Sequence, residues 1–183
     1  MSSLPAPAAR ADALGPVSFR AYVGLGGNLG EAHETLEAAL TALQAVAGAQ
    51  IEAVSSAYRS RPVDADGPDY INAVAAVRSS LGPLELLHAL QTIEECHGRE
   101  RPYRHAPRTL DLDLLLYDTA RRHSTELTLP HPRWAERAFV LEPLAEVAQA
   151  LGDVLTALPD QTERARLASL QGIEKSPRAL HFK

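Results

Sequence analysis

Pro107-Arg108-Thr109-Leu110-Asp111-Leu112-Asp113-Leu114-Leu115-Leu116-Tyr117 alternates strictly at its centre, with Leu110, Leu112 and Leu114 set against Asp111 and Asp113. A period of two predicts a half-buried strand. The leucines face a core, so the two carboxylates share the other face, about 6.6 Å apart at the backbone. Two carboxylates at that spacing can converge on one divalent ion or hold two ions roughly 4 Å apart. Strands disfavour Asp and like charges on one face repel, so a cationic partner is expected. Arg108 is one candidate and a hard metal such as Mg2+ is another. A solvated face with two incidental acids is the bland alternative.

Immediately upstream, Arg99-Glu100-Arg101-Pro102-Tyr103-Arg104-His105-Ala106-Pro107-Arg108 reads as a long loop with four arginines against one acid. Arginine forks beside a carboxylate metal site suit a polyphosphate. A single-strand nucleic-acid loop and a merely solvated charge run are the competing readings. Before it, Pro83 opens a helix to about His97, with Leu86, Leu87, Leu90 and Ile93 in its stripe and Gln91 and Glu94 together on one face. Tyr70 to Arg78 reads as a strand with Tyr70, Asn72, Val74 and Ala76 on one face. Asn72 there is either a buried hydrogen-bonder or a ligand contact.

Further upstream, Ser18 to Leu25 is expected as a first strand. Gly24, Gly26, Gly27 and Gly30 surround Asn28, and a tight turn explains them better than a phosphate cradle. Glu31 to Ala47 reads as a helix, Ile51 to Ser60 as one strand, and 61–68 as a long loop. Downstream, 118–124 reads as a turn, Glu126 to Leu129 as a short strand, and the stretch from Pro130 as the start of a helix that continues through Pro143. His131 on its own suits a capping or core role. Gln161 to Gln171 is a polar helix and the last dozen residues are expected to be loose.

The order strand, helix, strand, strand, helix, strand is that of a ferredoxin-like βαββαβ core. The expected class is α+β: a mainly antiparallel sheet, helices on one face, added C-terminal elements, and the other sheet face open to ligands. We divide the chain into a disordered lead-in (1–17), one catalytic domain (18–160), and a C-terminal helix and tail (161–183).

Composition bounds the chemistry. The chain has 183 residues and a net charge of −5, so no basic field recruits nucleic acid. The single cysteine, Cys96, fits a reducing, cytoplasmic compartment. No apolar run reaches membrane-span length. Lysine occurs only at Lys175 and Lys183, against 16 arginines. A Walker A loop needs a lysine after its glycines, and a Schiff-base lysine is equally disfavoured. Phosphate handling then falls to arginine and metal.

From about Ala21 to Ala148 the chain resembles the 6-hydroxymethyl-7,8-dihydropterin pyrophosphokinase family of folate biosynthesis. The block from Gly98-Arg99 to Pro107-Arg108-Thr109-Leu110-Asp111-Leu112-Asp113 carries the resemblance. Gly24-Leu25-Gly26-Gly27-Asn28-Leu29-Gly30, Pro68-Asp69-Tyr70-Ile71-Asn72-Ala73, Leu129-Pro130-His131-Pro132 and Glu136-Arg137-Ala138-Phe139-Val140-Leu141 support it. The resemblance implies transfer of the β,γ-pyrophosphate of ATP to the hydroxymethyl group of a reduced pterin, releasing AMP. It implies Asp111 and Asp113 as ligands of two Mg2+ ions, with Arg99 and Arg108 neutralising charge. It places Gln91, Glu94, Arg99, Arg101, Arg108, Leu114, Thr128, His131 and Arg137 around ATP, and Ser60, Val63, Tyr70, Asn72 and Phe139 around the pterin. A monomer is expected, without nucleic-acid or membrane partners. Gly27 stands where many members have serine, Arg61 where some have proline, His105-Ala106 where the family often has Trp-Gly, and Pro132 where some have tyrosine. No residue stands out as general base; Asp111 and a metal-activated alcohol both remain open. A metal-dependent phosphodiesterase and a ligand-sensing module are the alternatives on the same residues.

Overall fold

The computed structural model describes residues 17–62, 67–98 and 109–182. The expected roles of Val63, Arg99, Arg101 and Arg108, most of the loops at 61–68 and 99–108, and almost all of the lead-in lie outside the described residues.

The core follows the expected order. β1 (Phe19–Gly27) leads to α1 (Ala32–Gln44), then β2 (Ala49–Val54), β3 (Tyr58–Ser60), β4 (Tyr70–Ser79), α2 (Pro83–Cys96) and β5 (Asp111–Tyr117). β1 lies between β5 and β4, β4 pairs with both β2 and β3, and every pairing is antiparallel. Ile51 to Ser60 is therefore two strands rather than one. The break falls at Ser55, whose amide donates to Val74 O and whose Oγ accepts from Val74 N. Its small side chain satisfies β4 where ladder pairing lapses.

Alternation assigns each strand residue to a layer. Ala21, Val23 and Leu25 of β1, Ala73, Ala75 and Val77 of β4, and Leu112 and Leu114 of β5 pack against Leu36, Leu40 and Leu43 of α1 and Leu86 and Leu90 of α2. Burying each of these helix leucines contributes roughly 1.5–3 kcal/mol. Both helices of the βαββαβ core thus lie on one face, as expected. Among the described residues, the opposite face is left open at one end and covered over the rest. Tyr22, Val74, Ala76 and Leu115 are covered there by α3 (Ala138–Leu151), through Val140, Leu141, Leu144 and Val147. That helix was expected, but its coverage of the second face was not. Its apolar residues run over nearly the whole element, so periodicity did not single out a face.

The glycine-rich segment is also not the turn it was expected to be. Gly24, Gly26 and Gly27 belong to β1, and only Gly30, with φ +61°, occupies a turn conformation requiring glycine. A Cβ on Gly27 would lie 2.4 Å from the main-chain oxygen of Thr109. The strand therefore uses glycine for close backbone approach.

Beyond β5, residues 118–124 hold more than a turn: β6 (Arg122–His123) pairs with β7 (Thr128–Leu129). A 3-10 turn at Trp134–Glu136 precedes α3, and α4 (Gln161–Gln171) falls where its polar sequence placed it. The tail is tied down rather than loose. β8 (Glu174–Lys175) adds to the β3 edge, and Ser176 N donates to Ala57 O. Arg178 pairs with Glu37, and His181 N donates to the same carboxylate.

α3 is fastened to β2 and β3 by Glu146. Its carboxylate accepts from Ser56 N, Ser56 Oγ and Tyr58 Oη, with Lys175 Nζ at 3.4 Å. Burial pushes the Glu146 pKa up, but the hydrogen bonds from Tyr58 and Ser56 outweigh it and leave it below its ordinary value. A depressed folded pKa means that the contribution to stability is complete above the unfolded value near 4.5 and is lost as pH falls through the folded value. Denaturant midpoints should hold from pH 7 to 5 and drop below about pH 4.5. Glu146→Gln should shallow that acid limb and remove roughly 1–2 kcal/mol at pH 7; an unchanged limb would contradict the role. Separately, Gly27→Ala forces a main-chain shift at Thr109 and should remove about 1–3 kcal/mol, lowering Tm by roughly 3–10 °C in calorimetry. A Tm within a degree of wild type would mean that Thr109 yields freely.

Candidate active site

The open end of the sheet face is built from three strands in register. Asn72 of β4, Gly26 of β1 and Asp111 of β5 form one cross-strand row, and Val74, Gly24 and Asp113 form the next. Partners in an antiparallel pair share a face. Asp111, Asp113, Tyr70 and Asn72 therefore all project to the side away from α1 and α2, as the sequence predicts. The central strand contributes no side chain to either row. Gly26 makes a bare floor between a polar amide on one flank and a carboxylate on the other, while the Leu115 side chain packs over Gly24, 3.4 Å from where a Cβ would stand. Two strand spacings separate the flanks, about 10 Å between α-carbons. A Cβ on Gly26 would meet Asn72 Oδ1 at 3.2 Å, so that oxygen leans toward the floor.

Asn72 is held, not loose. It is buried, and its Nδ2 donates to Ser60 Oγ at 2.9 Å. Ser60, also buried, pairs with Tyr70 in the β3–β4 ladder. Donation from Nδ2 to Ser60 leaves the carbonyl oxygen as the acceptor aimed at the floor. Asn28, just past β1, donates to Pro68 O at 3.2 Å and ties the end of the strand to the approach to β4.

On the other flank, β5 is the edge strand, and two predicted residues cover its outer side. Glu94 is only 2% exposed, and its Oε1 accepts from Leu112 N at 2.9 Å. This explains a buried carboxylate on α2, because it caps an edge amide that has no strand partner. His131 N donates to Leu115 O at 2.8 Å, which docks the segment after β7 along the same edge. A bulge at this point, between the Tyr22 and Val23 pairings, skips Leu115. Leu115 follows Asp111 and Asp113 on the α3 side by alternation, and the bulge brings its neighbour Leu116 to that layer as well and returns Tyr117 to the α1/α2 core.

The third side comes from the start of α3. Arg137 Nη1 lies 3.9 Å from Asp113 Oδ2. Its guanidinium carbon sits 5.5 Å from the centre of the Phe139 ring, a cation–π arrangement. His131 feels Asp113, Asp111, Arg137 and Arg133. Burial holds its pKa below the ordinary value, Asp113 pulls upward and Arg137 presses down again. The ring is therefore neutral at pH 7, with Nδ1 accepting from Arg133 N at 3.3 Å.

The structure thus gathers Asp111, Asp113, His131, Arg137, Phe139, Tyr70, Asn72 and Ser60 around one open end. Gln91 is half-buried on α2, and Thr128 is half-buried in the β6–β7 hairpin. Leu114 lies between the aspartates and the bulge. Its side chain is buried in the α1/α2 core on the face opposite the carboxylates, so only its main chain can meet a ligand. Glu94 likewise spends one carboxylate oxygen on Leu112. The floor itself, Gly26, was missed. Its signal was present, since Gly24 and Gly26 fall at period two within an apolar strand.

The donor set suits a hard divalent cation. The carboxylates share a face, the Asp113 side chain is 37% exposed, and no group of three His, Cys, Asp or Glu residues forms a ready-made metal cage among the described residues. Mg2+ is ordinarily bound by one or two carboxylates with the remaining positions taken by phosphate oxygens and water.

Comparison with known proteins places the chain in a family. The family described as 7,8-dihydro-6-hydroxymethylpterin-pyrophosphokinase (HPPK) matches residues 22–149. A 2-amino-4-hydroxy-6-hydroxymethyldihydropteridine pyrophosphokinase of Synechocystis is 48% identical over 128 residues, covering 70% of this chain and 66% of that relative. The protein of the same name in Pseudomonas aeruginosa is 43% identical over 164 residues, covering 87% of this chain and 98% of its own. The Bacillus subtilis protein is 38% identical over 148 residues. Among solved structures, a triple mutant of Plasmodium falciparum HPPK-DHPS matches with a TM-score of 0.63 at 15% identity, over 84% of this chain and 43% of that one. That likeness speaks for the fold, and this chain spans less than half of the fusion protein. The chain belongs to the 7,8-dihydro-6-hydroxymethylpterin-pyrophosphokinase family.

Proposed function

We propose that the glycine-floored end of the sheet is where this chain carries out the reaction of its family. Pyrophosphate passes from ATP to the hydroxymethyl group of 6-hydroxymethyl-7,8-dihydropterin, giving AMP and the pterin diphosphate, in folate biosynthesis. The observation that carries the assignment to this site is the row Asn72–Gly26–Asp111. It sets an amide acceptor and a metal-binding carboxylate on opposite sides of a surface with no side chain.

A flat bicyclic pterin fits such a surface. Asn72 Oδ1 accepts from its donor edge, fixed in direction by Ser60. Phe139 offers a ring face for stacking, and Tyr70 closes the side near β3. The hydroxymethyl arm then points across the floor toward Asp111 and Asp113. Arg137 stands beside Asp113 and neutralises phosphate charge there, steadied by the Phe139 ring. His131, neutral, donates or accepts without adding charge. Gln91 and Thr128 border the nucleotide, with Glu94 holding β5 in place beneath it. On the resemblance of the sequence, Arg99, Arg101 and Arg108 add positive charge toward the triphosphate, with Arg99 and Arg108 acting during transfer, and Val63 borders the pterin. Asp111 and Asp113 would hold Mg2+, two ions with ATP, which when bound neutralise the phosphates and lower the pKa of the accepting alcohol.

Transfer of this kind rests on positioning and charge neutralisation more than on covalent help. The chain's own contribution is to bring two substrates together on one rigid floor and to match developing charge with arginine. Both flanks and the floor come from one chain, which supports action as a monomer. No helix among the described residues is long and apolar enough to cross a membrane, in keeping with a cytoplasmic reaction.

The decisive experiment incubates the protein with ATP, Mg2+ and the reduced pterin and identifies the nucleotide product. AMP formed only when pterin and metal are both present supports the assignment, and ADP or no product overturns it. In the same assay Asp111→Ala and Asp113→Ala should each lower kcat by at least about 100-fold; near-normal turnover in either would remove the metal role. Gly26→Val should leave Tm within a few degrees, since valine suits a strand, yet raise the pterin KM at least about tenfold by filling the floor. An unchanged pterin KM would place the ring elsewhere.

A further inference from the structure

α4 buries none of its residues. Its apolar contribution is Leu167, only partly buried against the cluster that α3 builds, so burial of an apolar face explains little of its docking on α3. Its other links to α3 and the residues before it are polar and specific. Arg164 lies 3.7 Å from Glu142. At the last residue of the helix, Gln171 makes two bonds: its Oε1 accepts from Ala138 N at 2.9 Å, and its Nε2 donates to Glu136 O at 2.9 Å. These bonds straddle Arg137.

The chemistry of a helix start explains the first bond. Ala138 opens α3, and the first amides of a helix have no acceptor within it. Arg137, at the capping position, makes no side-chain cap, and a guanidinium has no acceptor to offer. Ala138 is 1% exposed, so water does not substitute. The acceptor is supplied from 33 residues along the chain. The second bond fixes the peptide on the other side of Arg137. Gln171 is itself held. Gly172 ends α4 at φ +62°, and Glu174–Lys175 then pair with β3, where Arg59 bonds Glu174. The clamp is anchored to the strand whose Ser60 orients Asn72.

We propose that Gln171 is a positioning residue for the reaction. It fixes the main chain from Glu136 to Ala138 and thereby aims Arg137 at Asp113 and seats Phe139 beside the floor. The residue lies outside the 22–149 span matched to the family. The inference rests on the placement of Arg137 and Phe139 at the ATP and pterin sites given above.

The test uses the full chain and steady-state kinetics in both substrates. Gln171→Met keeps side-chain length and removes both bonds; KM for ATP and for the pterin should each rise about tenfold while kcat stays within about threefold. Gln171→Lys retains a donor for Glu136 O but offers Ala138 N no acceptor, should give the same rise, and serves as the second variant. Gln171→Glu restores the acceptor and should bring both values back to within about threefold of wild type. Asp160→Ala removes the cap of α4, where Asp160 Oδ1 accepts from Glu163 N. It should lower Tm with little change in either KM. In an Arg137→Ala background, Gln171→Met should change the ATP KM less than about twofold, because the two act through one contact. Three results overturn the proposal: unchanged KM values in Gln171→Met, a full tenfold added on top of Arg137→Ala, or the same KM rise in Asp160→Ala. If Arg137→Ala and Phe139→Ala themselves leave both KM values unchanged, the site reading fails and the positioning role falls with it. If those two variants respond and Gln171→Met does not, only the positioning role is lost.

Discussion

Gly24 and Gly26 carry no side chains on the one sheet face where their cross-strand neighbours carry an amide and two carboxylates. A sheet face ordinarily presents a side chain at every second residue of every strand, and a strand interior disfavours glycine. Here the missing side chain at Gly26 leaves a gap between Asn72 and Asp111, on strands about 10 Å apart, while Leu115 packs over Gly24. The rest of the site takes its place from that surface. Asn72 leans its oxygen inward where a Cβ at Gly26 would crowd it at 3.2 Å, and Asp111 and Asp113 stand on the far side of the same face, with Arg137 beside Asp113. α3 covers the remainder of the face, so the open end is bounded by its capping residue Arg137 and by Phe139 in its first turn.

The edge position of β5 sets a second constraint. The edge strand that carries the two aspartates must be held at its outer side without a further strand. Glu94 and His131 meet that need by different routes, one through a buried side-chain oxygen and the other through its main-chain amide. The two charged or titratable residues beside the aspartates thereby serve the strand as well as the chemistry. Replacing Glu94 removes an edge bond as well as a polar group, so loss of activity there would not by itself separate binding from strand register, whereas replacing His131 leaves its main-chain bond to Leu115 in place.

Much of this was legible in the sequence because it follows from period two. The alternation through Leu110 to Leu114 put the carboxylates opposite a leucine core, and the same rule put Tyr70 and Asn72 on their face. What failed did so for local physical reasons. Glycines at 24, 26 and 27 look like a turn because turns favour glycine, yet here β1 needs close backbone approach at Thr109 and an empty floor at Asn72. The second-face role of α3 was hidden because its apolar residues are nearly continuous rather than striped. The anchored tail was missed because its contacts, Ser176 to Ala57 and His181 to Glu37, are main-chain and charge contacts of residues with no local pattern.

The scarcity of lysine now has a physical place in the argument. A guanidinium is planar and always charged; it can pair with a carboxylate and lie against an aromatic ring at once, which an ammonium on a flexible stem does less well. Arg137 does both, with Asp113 at 3.9 Å and the Phe139 ring at 5.5 Å. The same geometry makes its direction sensitive to the peptide that carries it, because each contact fixes the planar group at a different end. That peptide belongs to a helix start whose own capping residue has no acceptor. A site that uses arginine in this position must therefore obtain its helix cap from elsewhere in the chain, and in this molecule the acceptor comes from Gln171 on a polar helix that buries no residue of its own.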